Sequence, residues 1–269
     1  MQDCNVTNIA HTNNMITIKT KKEIETLKEG GRRHAQILKE IAKEAVSGVS
    51  TKFLNDFAIK KIEEFGDRPA FLNYKPKGSM RPYPAALCVS VNDEIVHGIP
   101  NEKNRIIKDG DIVTFDLGLI HKDLITDAAI TVGVGKISKE DKKLIKATRE
   151  ALKAAVNVAK EGNTTGDIGQ AVQDIAEKYG FGIAEGLSGH GVGYSVHEDP
   201  YIPNIGVRGQ GEKLVAGMVI AIEPMFTTGK GGIVLDKDGY TYKTKDASNA
   251  AHFEHTVAIT DGKPVVLTE

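Results

Sequence analysis

The chain contains an internal repeat, in which the second half repeats the residue pattern of the first, and this repeat limits the folds that the chain can adopt. Residues 47–66 and 161–180 share a glycine at position 2, a threonine at position 5, leucine or isoleucine at position 8, an aromatic residue at position 19 and a final glycine. Apolar residues at helical spacing predict one helix within each window and another before it, over residues 21–46 and 138–160. Each half is therefore expected to begin with two helices.

Strands that carry matching acids follow the helices in both halves. Residues 110–116 and 217–223 each consist of a glycine, five strand-like residues and a carboxylate. A second acid, Asp127 or Glu254, begins the next strand-like run. Coincidence between two common helix–strand patterns stays open for the helix windows alone, and the matching acids argue against it.

The repeat predicts the fold class and its organisation. We expect an α+β protein with two pseudo-symmetric halves, about residues 21–135 and 138–269, each an antiparallel sheet flanked by helices. The two halves are expected to form a single domain, because 269 residues can bury one sizeable core. Residues 1–20 precede the first helix and are expected to form a flexible extension.

Four acids in this repeat indicate a metal site. Asp116 and Glu223 each end an otherwise apolar strand, where an unpaired buried carboxylate would cost several kcal/mol. For any one acid, a solvent-exposed strand end or a partner Lys or Arg is the commoner arrangement. Two halves packed about a pseudo-two-fold axis would, however, bring Asp116, Asp127, Glu223 and Glu254 together. Two divalent cations would neutralise these carboxylates and could activate a water molecule.

Histidines would make such a site asymmetric. His190 lies between two glycines, which allow the backbone to approach a ligand closely, and His97 and His197 lie in similarly unusual contexts. For any single one of them a place in a polar turn is the commoner explanation. The others, His252 among them, have an ordinary context and are interpreted as structural. His255 should point away from the acids, because it follows Glu254 on a strand.

The composition limits the function classes. The chain has 35 Lys and Arg against 36 Asp and Glu, a net charge of -1, which argues against nucleic-acid binding. Two cysteines, Cys4 and Cys88, cannot form a disulfide framework, and they favour a reducing compartment. No apolar run reaches the roughly 18 residues that a membrane-spanning helix needs. We therefore expect a cytoplasmic protein that does not cross a membrane.

Several motifs, specific in combination, carry a resemblance to a known family. They are Val96-His97-Gly98-Ile99-Pro100, Asp116 and Asp127 eleven residues apart, Ser188-Gly189-His190-Gly191-Val192-Gly193, His197-Glu198-Asp199-Pro200, Ile222-Glu223-Pro224-Met225 and Phe253-Glu254-His255-Thr256. From about residue 21 to 267 the chain resembles the type I methionine aminopeptidases. These are metalloenzymes with the pita-bread fold of creatinase and the proline-specific aminopeptidases.

The resemblance implies a site with two divalent ions, Co, Mn, Fe(II) or Zn. Its five metal ligands would be Asp116, Asp127, His190, Glu223 and Glu254. Asp127 and Glu254 would bridge both ions, Asp116 would bind one, and His190 and Glu223 the other. A metal-bridged hydroxide would remove the N-terminal methionine from nascent proteins whose second residue is small.

The resemblance also assigns roles around the metals. Glu223 would pass the water proton to the leaving amine, His197 would donate to the carbonyl oxygen, and His97 would contact the substrate near the scissile nitrogen. Cys88 and Tyr83 would line the methionine pocket, with Tyr240 standing where a tryptophan is common. Departures from the family pattern, such as Val196 in place of a phenylalanine, lie in this pocket, and the predicted metal ligands match the pattern.

Two other functions stay open, and the expected partners follow from the resemblance. A proline-specific aminopeptidase or dipeptidase has the same fold, although such enzymes usually carry an additional N-terminal domain. A catalytically inactive binding module typically loses metal ligands, and all five are present here. We expect a monomer that acts on the N-terminal methionine of nascent chains, with transient proximity to the ribosome.

Overall fold

Helices and antiparallel strands alternate twice along the chain in the computed structural model, which describes residues 16–76 and 78–269. The helices are α1 (Lys21–Glu44), α2 (Thr51–Glu64), α3 (Pro100–Lys103), α4 (Lys139–Val158) and α5 (Thr165–Tyr179). The strands of the first half are β1 (Arg68–Pro69), β2 (Leu87–Val91), β3 (Glu94–Val96), β4 (Ile112–His121) and β5 (Leu124–Gly133). Those of the second half are β6 (Gly182–Ile183), β7 (Ser188–Gly191), β8 (Glu198–Pro203), β9 (Val219–Ile222), β10 (Met225–Thr227), β11 (Ile233–Leu235), β12 (Tyr242–Thr244), β13 (Ala250–His252), β14 (His255–Ala258) and β15 (Val265–Val266).

The four long helices begin where side chains can cap them. Thr20 and Thr164 each open a capping box, in which the threonine and the acid three residues later satisfy each other's backbone amides. Gly180 ends α5 with φ 74°, a left-handed conformation that glycine adopts without strain. These signals are local in sequence, which is why the predicted helices agree with the structure to within about two residues at either end.

Helix α1 runs without a break through Gly30 and Gly31, although this pair interrupts its apolar pattern. A Cβ at Gly31 would lie 2.0 Å from the carbonyl oxygen of Leu267, and one at Gly30 would lie 2.7 Å from Cβ of His121. The two glycines therefore let α1 pack directly against strand β4 and the end of the chain.

The strands form two larger sheets and two small ones. In the first half, β4 pairs with β1, β2 and β5, and in the second the order is β15-β14-β9-β7-β8. The small sheets have the orders β13-β10-β6 and β11-β12-β3. Backbone hydrogen bonds between Ala129 and Glu254, in both directions, connect the two larger sheets. Strand pair β4/β5 of the first half thus lies beside its counterpart β9/β14.

Each half has its own hydrophobic core beneath its helices. In the first half α1 and α2 cover β2, β4 and β5 around the fully buried Phe115, and in the second α4 and α5 cover β9 and β14 around Phe226. Complete burial of such a side chain contributes about 1.5–3 kcal/mol. The acid-bearing strands of the two halves lie side by side between these two cores.

The chain before α1 is part of the fold from the first residues that the structure describes. The side chain of Lys19 is buried, and its backbone amide donates to the carbonyl of Gly217 at 2.8 Å. Residues 1–15 of the predicted flexible extension lie outside the described residues, and the proposed domain boundaries stay a prediction. Within residues 16–76 and 78–269, no helix is long and apolar enough to cross a membrane.

Candidate metal centre and active site

The four acids of the sequence repeat meet at the junction of the two larger sheets. Asp116 and Asp127 come from β4 and β5, where Asp127 lies opposite Gly118 in the register. Glu223 directly follows β9, and Glu254 directly precedes β14. Asp127 and Glu254 are only 3% and 2% exposed, so the junction holds carboxylates that water scarcely reaches.

His190 joins this carboxylate cluster from strand β7. Its Nε2 atom lies 3.5 Å from Oε1 of Glu223 and 4.0 Å from Oδ2 of Asp127. Potential ligand atoms of Asp127, His190 and Glu254 all lie within 4.8 Å of one another. Nδ1 of His190 is 2.9 Å from the carbonyl oxygen of Gly191, which can only accept, so Nδ1 carries the ring proton. The lone pair on Nε2 is therefore free to bind a cation.

The charges of the cluster fit divalent cations. Burial raises the pKa of Asp116 to about 7, and burial with the neighbouring charges raises those of Asp127, Glu223 and Glu254 well above their usual values. Burial also lowers the pKa of His190 to about 3, which keeps its imidazole neutral, the form that binds metals. Among the residues described, one buried oxygen each of Asp116, Asp127 and Glu254 has no hydrogen-bond partner. Oxygen donors with one imidazole and unsatisfied lone pairs suit cations such as Mn, Fe(II), Co or Zn.

His252 also belongs to this cluster, although its sequence context predicts a structural role. Its Nε2 lies 3.6 Å from Oε2 of Glu223 and 3.8 Å from Oε2 of Glu254. Neither ring nitrogen has a hydrogen-bond partner in the described part of the chain. His252 precedes Glu254 by two residues, and this spacing could have indicated a shared strand face. His255, as predicted, points away from the acids, with Nδ1 3.0 Å from Oγ1 of Thr268.

An open cleft of about 1040 Å³ leads to the cluster, and His197 and His97 line it. The ring of His197 lies 4.5 Å from that of His190, measured between centroids, and its Nδ1 is 3.0 Å from the hydroxyl of Tyr74. His97 has a φ of 59°, unusual for a residue with a side chain, and its ring lies 6.0 Å from that of Tyr242. Burial lowers the pKa of both histidines, that of His97 to about 4, so both are neutral near pH 7.

The same cleft has an apolar pocket made of the three residues predicted for methionine binding. Cys88, Tyr83 and Tyr240 are buried, and the two tyrosine rings meet edge to face at 5.2 Å. The hydroxyls of Tyr83 and Tyr240 donate to the backbone carbonyls of Gly98 and Arg81, so neither hydroxyl is free to contact a ligand in the cleft. Burial raises the pKa of the Cys88 thiol, which stays protonated. Phe71 also lines this cleft, and no sequence pattern pointed to it.

Comparison with known proteins identifies the family. The sequence pattern of metallopeptidase family M24 matches residues 25–261. The chain belongs to metallopeptidase family M24. A methionine aminopeptidase of Aquifex aeolicus is 49% identical over 257 residues, which are 94% of this chain and 99% of that protein. The crystal structure of a Thermotoga maritima methionine aminopeptidase superposes with a TM-score of 0.89 at 40% identity, covering 95% of this chain and 100% of the other.

More distant M24 structures share only the fold. The prolidase of Pyrococcus horikoshii has a TM-score of 0.73 at 23% identity, and the match covers 95% of this chain and 64% of that one. These findings confirm the predicted family, the pita-bread fold and the use of divalent metal ions in this M24 metallopeptidase. They leave the individual roles of the site residues as predictions.

Proposed function

We propose that this M24 metallopeptidase removes the N-terminal methionine from polypeptides whose second residue is small. The observation that carries the proposal is one cleft in which a carboxylate–histidine cluster lies beside an apolar pocket of Cys88, Tyr83 and Tyr240. A thioether side chain is unbranched and polarisable, and it suits a pocket lined by aromatic faces and a protonated thiol. High identity to proteins named methionine aminopeptidases over nearly their full length supports the same substrate.

Two metal ions would be held by the five predicted ligands: Asp116, Asp127, His190, Glu223 and Glu254. When bound, such ions lower the pKa of a shared water and polarise the substrate carbonyl. The unpartnered oxygens of the buried acids support this assignment. His252, whose Nε2 lies within 4 Å of two of these carboxylates, would hold them in place.

Glu223 is the proposed proton carrier of the reaction. Its carboxylate would accept the proton of the attacking water and pass it to the leaving amine. Burial, followed by the charge of Asp116, raises the pKa of Glu223 well above its ordinary value. A carboxylate with a raised pKa is a better general base near neutral pH than an ordinary one.

His197 and His97 would orient the substrate. The pKa of the Tyr74 phenol is raised by burial, so this hydroxyl stays protonated and can donate to Nδ1 of His197. The neutral ring then carries its proton on Nε2 and can donate it to the carbonyl oxygen of the scissile bond. His97 lies on the same cleft wall and would contact the substrate near the scissile nitrogen.

One assay separates this function from a proline-specific peptidase on the same fold. Metal-depleted protein is reconstituted ion by ion and tested on the peptides Met-Ala-Ser and Ala-Pro-Gly. We expect release of methionine from the first peptide only. Cleavage of only the second would contradict the methionine specificity, and inactivity on both with every ion would favour a binding module.

We also propose a cellular setting for this activity. The protein would act as a monomer in the cytoplasm, transiently near the ribosome, where new N-termini emerge. The buried free thiol of Cys88 supports a reducing compartment, and the net charge of -1 supports binding without nucleic-acid specificity. Sedimentation of the purified protein, alone and with ribosomes, tests both the monomer and the transient association.

A further inference from the structure

The proposed chemistry assigns no role to Glu198, a residue of the motif His197-Glu198-Asp199-Pro200. Glu198 follows His197 directly, and its carboxylate is almost fully buried with a side-chain exposure of 7%. It accepts from four donors. Oε1 accepts hydrogen bonds from the backbone amides of Tyr194 at 2.5 Å and Ser195 at 2.9 Å. The carboxylate therefore stabilises the loop that leads to His197.

The other oxygen of this carboxylate is held by the segment that precedes helix α1. Oε2 of Glu198 lies 2.5 Å from Nζ of Lys19, whose side chain is wholly buried, and it also accepts from the hydroxyl of Thr17. The same ammonium lies 5.0 Å from the centroid of the Tyr194 ring. A buried charge pair is tolerated when its remaining hydrogen-bonding capacity is satisfied, and the carboxylate meets this condition.

The side chain of Lys19 also packs closely against the backbone of this loop. A Cβ at Gly193, where φ is 140°, would lie 2.5 Å from Cε of Lys19. Glycine is favoured there by this φ, and its lack of a side chain leaves room for the end of the lysine side chain. The backbone amide of Lys19 donates to Gly217, just before strand β9, which anchors the segment to the strand that leads to Glu223.

We propose that Thr17 and Lys19 are positioning residues, which hold the loop 192–198 through Glu198 and so fix His197 over the substrate carbonyl. This inference rests on the proposed function, because it assigns His197 to that carbonyl. The metal ligand His190 lies on β7, before the loop, and the other ligands lie at or beside strands on other parts of the chain. Loss of the Lys19–Glu198 pair should therefore disturb the loop and leave metal binding close to normal.

The test is Lys19→Met, which removes the charge and keeps most of the stem. With metal-loaded protein and a methionyl peptide, we expect kcat to fall about tenfold to a hundredfold, as for other small displacements of a reacting group. In a His197→Ala background the same substitution should change kcat less than about threefold, because the group it positions is already absent. An equal loss in both backgrounds would show that Lys19 does not act through His197. Lys52→Met is the matched control, since Lys52 forms an equally short pair, with Asp56, on the exposed surface of α2.

Hydrogen exchange provides a second readout that does not depend on activity. The amides of Tyr194 and Ser195 should exchange faster in Lys19→Met than in the wild type, whereas those of β4 and β5 should not change. Glu198→Gln should do the same, because a neutral amide keeps the shape and loses the ion pair. Unchanged exchange at both amides would overturn the inference. If the wild type is inactive on methionyl peptides and these amides still exchange faster in Lys19→Met, the proposed function is contradicted, whereas the inference that Lys19 holds the loop is supported.

Discussion

The two halves of the molecule contribute equal numbers of acids to the carboxylate cluster, but they differ in the type of acid and in the number of histidines that they contribute. The first half places Asp116 and Asp127 within long paired strands, ten residues each, whose register fixes both side chains. The second half places Glu223 and Glu254 just outside short strands. It also supplies both histidines that contact the acids, His190 and His252.

This difference indicates how a duplicated fold becomes an asymmetric site. A pair of identical halves would produce a symmetric ring of carboxylates, which can bind cations but has no preferred direction for moving a proton. The second half breaks the symmetry with imidazoles and with a glutamate in place of each aspartate. The longer glutamate side chains reach further from the strands than aspartates can. We therefore expect substitution of Asp116 or Asp127 to act through loss of metal, and substitution of Glu223 to remove the proposed proton carrier as well.

The largest expected effect comes from Glu223→Gln, which tests the chemical role of the second half. The amide cannot accept the water proton, and loss of a general base lowers kcat by about 10²–10⁴-fold. Steady-state kinetics at saturating metal measures the loss, and elemental analysis determines whether the ions are still bound. Glu212→Gln, an exposed acid in the same half, should be near normal. Near-normal turnover of Glu223→Gln with full metal content would refute the proton-carrier role.

A smaller effect is expected from His252→Asn, compared with His255→Asn on the same stretch of chain. His252 faces Glu223 and Glu254, and a group that supports metal ligands contributes about 10–100-fold in metal affinity. His255 faces Thr268 on the opposite side, so its substitution should change the affinity little. Isothermal titration with Mn measures both dissociation constants. Equal losses in the two variants would contradict the assignment of His252 to the cluster.

The sequence predicted what depends on local patterns. The bounds of the long helices and the positions of the strands that lead to Asp116 and Glu223 follow from periodicities within short windows, and the convergence of these two acids follows from the repeat between the two halves. Four of the proposed metal ligands are predictable from the matching acids of the repeat, and the fifth, His190, from the glycines on either side of it.

Contacts between distant parts of the chain had no such signal. Tyr74 meets His197 across 123 residues of sequence, and Lys19 meets Glu198 across 179. Both depend on how the two halves pack, which no local period encodes. His252 was missed for a different reason: its neighbours are apolar, and its face of the strand becomes functional only because Glu254 lies two residues further on.

Metal removal should change how stability depends on pH, and this tests whether the acids are as buried as the structure shows. A carboxyl whose pKa is raised by folding binds its proton more tightly in the folded state. In metal-depleted protein, these acids should therefore stabilise the fold most below about pH 4, and their contribution should fall as pH rises towards the raised pKa of Asp116, about 7. The buried histidines contribute with the opposite sign in this range, because burial lowers the pKa values of His190 and His252 to about 3. Calorimetry with and without Mn separates the two, because protons compete with Mn for the carboxylates: the increase in Tm on adding Mn should grow from about pH 4 to about pH 7. An increase that does not grow across this range would contradict the buried cluster.

The smallest expected effects lie in the proposed methionine pocket, where equivalent substitutions in the two halves should have equal effects. Tyr83 comes from the first half and Tyr240 from the second, yet both hydroxyls donate to backbone carbonyls and both rings face the cleft. Tyr83→Phe and Tyr240→Phe should each cost about 1 kcal/mol of stability, a Tm decrease of about 2–4 °C, because a carbonyl loses its partner. KM for a methionyl peptide should stay within about twofold, since neither hydroxyl is free to contact substrate. A large rise in KM for only one variant would show that the pocket, like the metal cluster, depends more on one half than on the other.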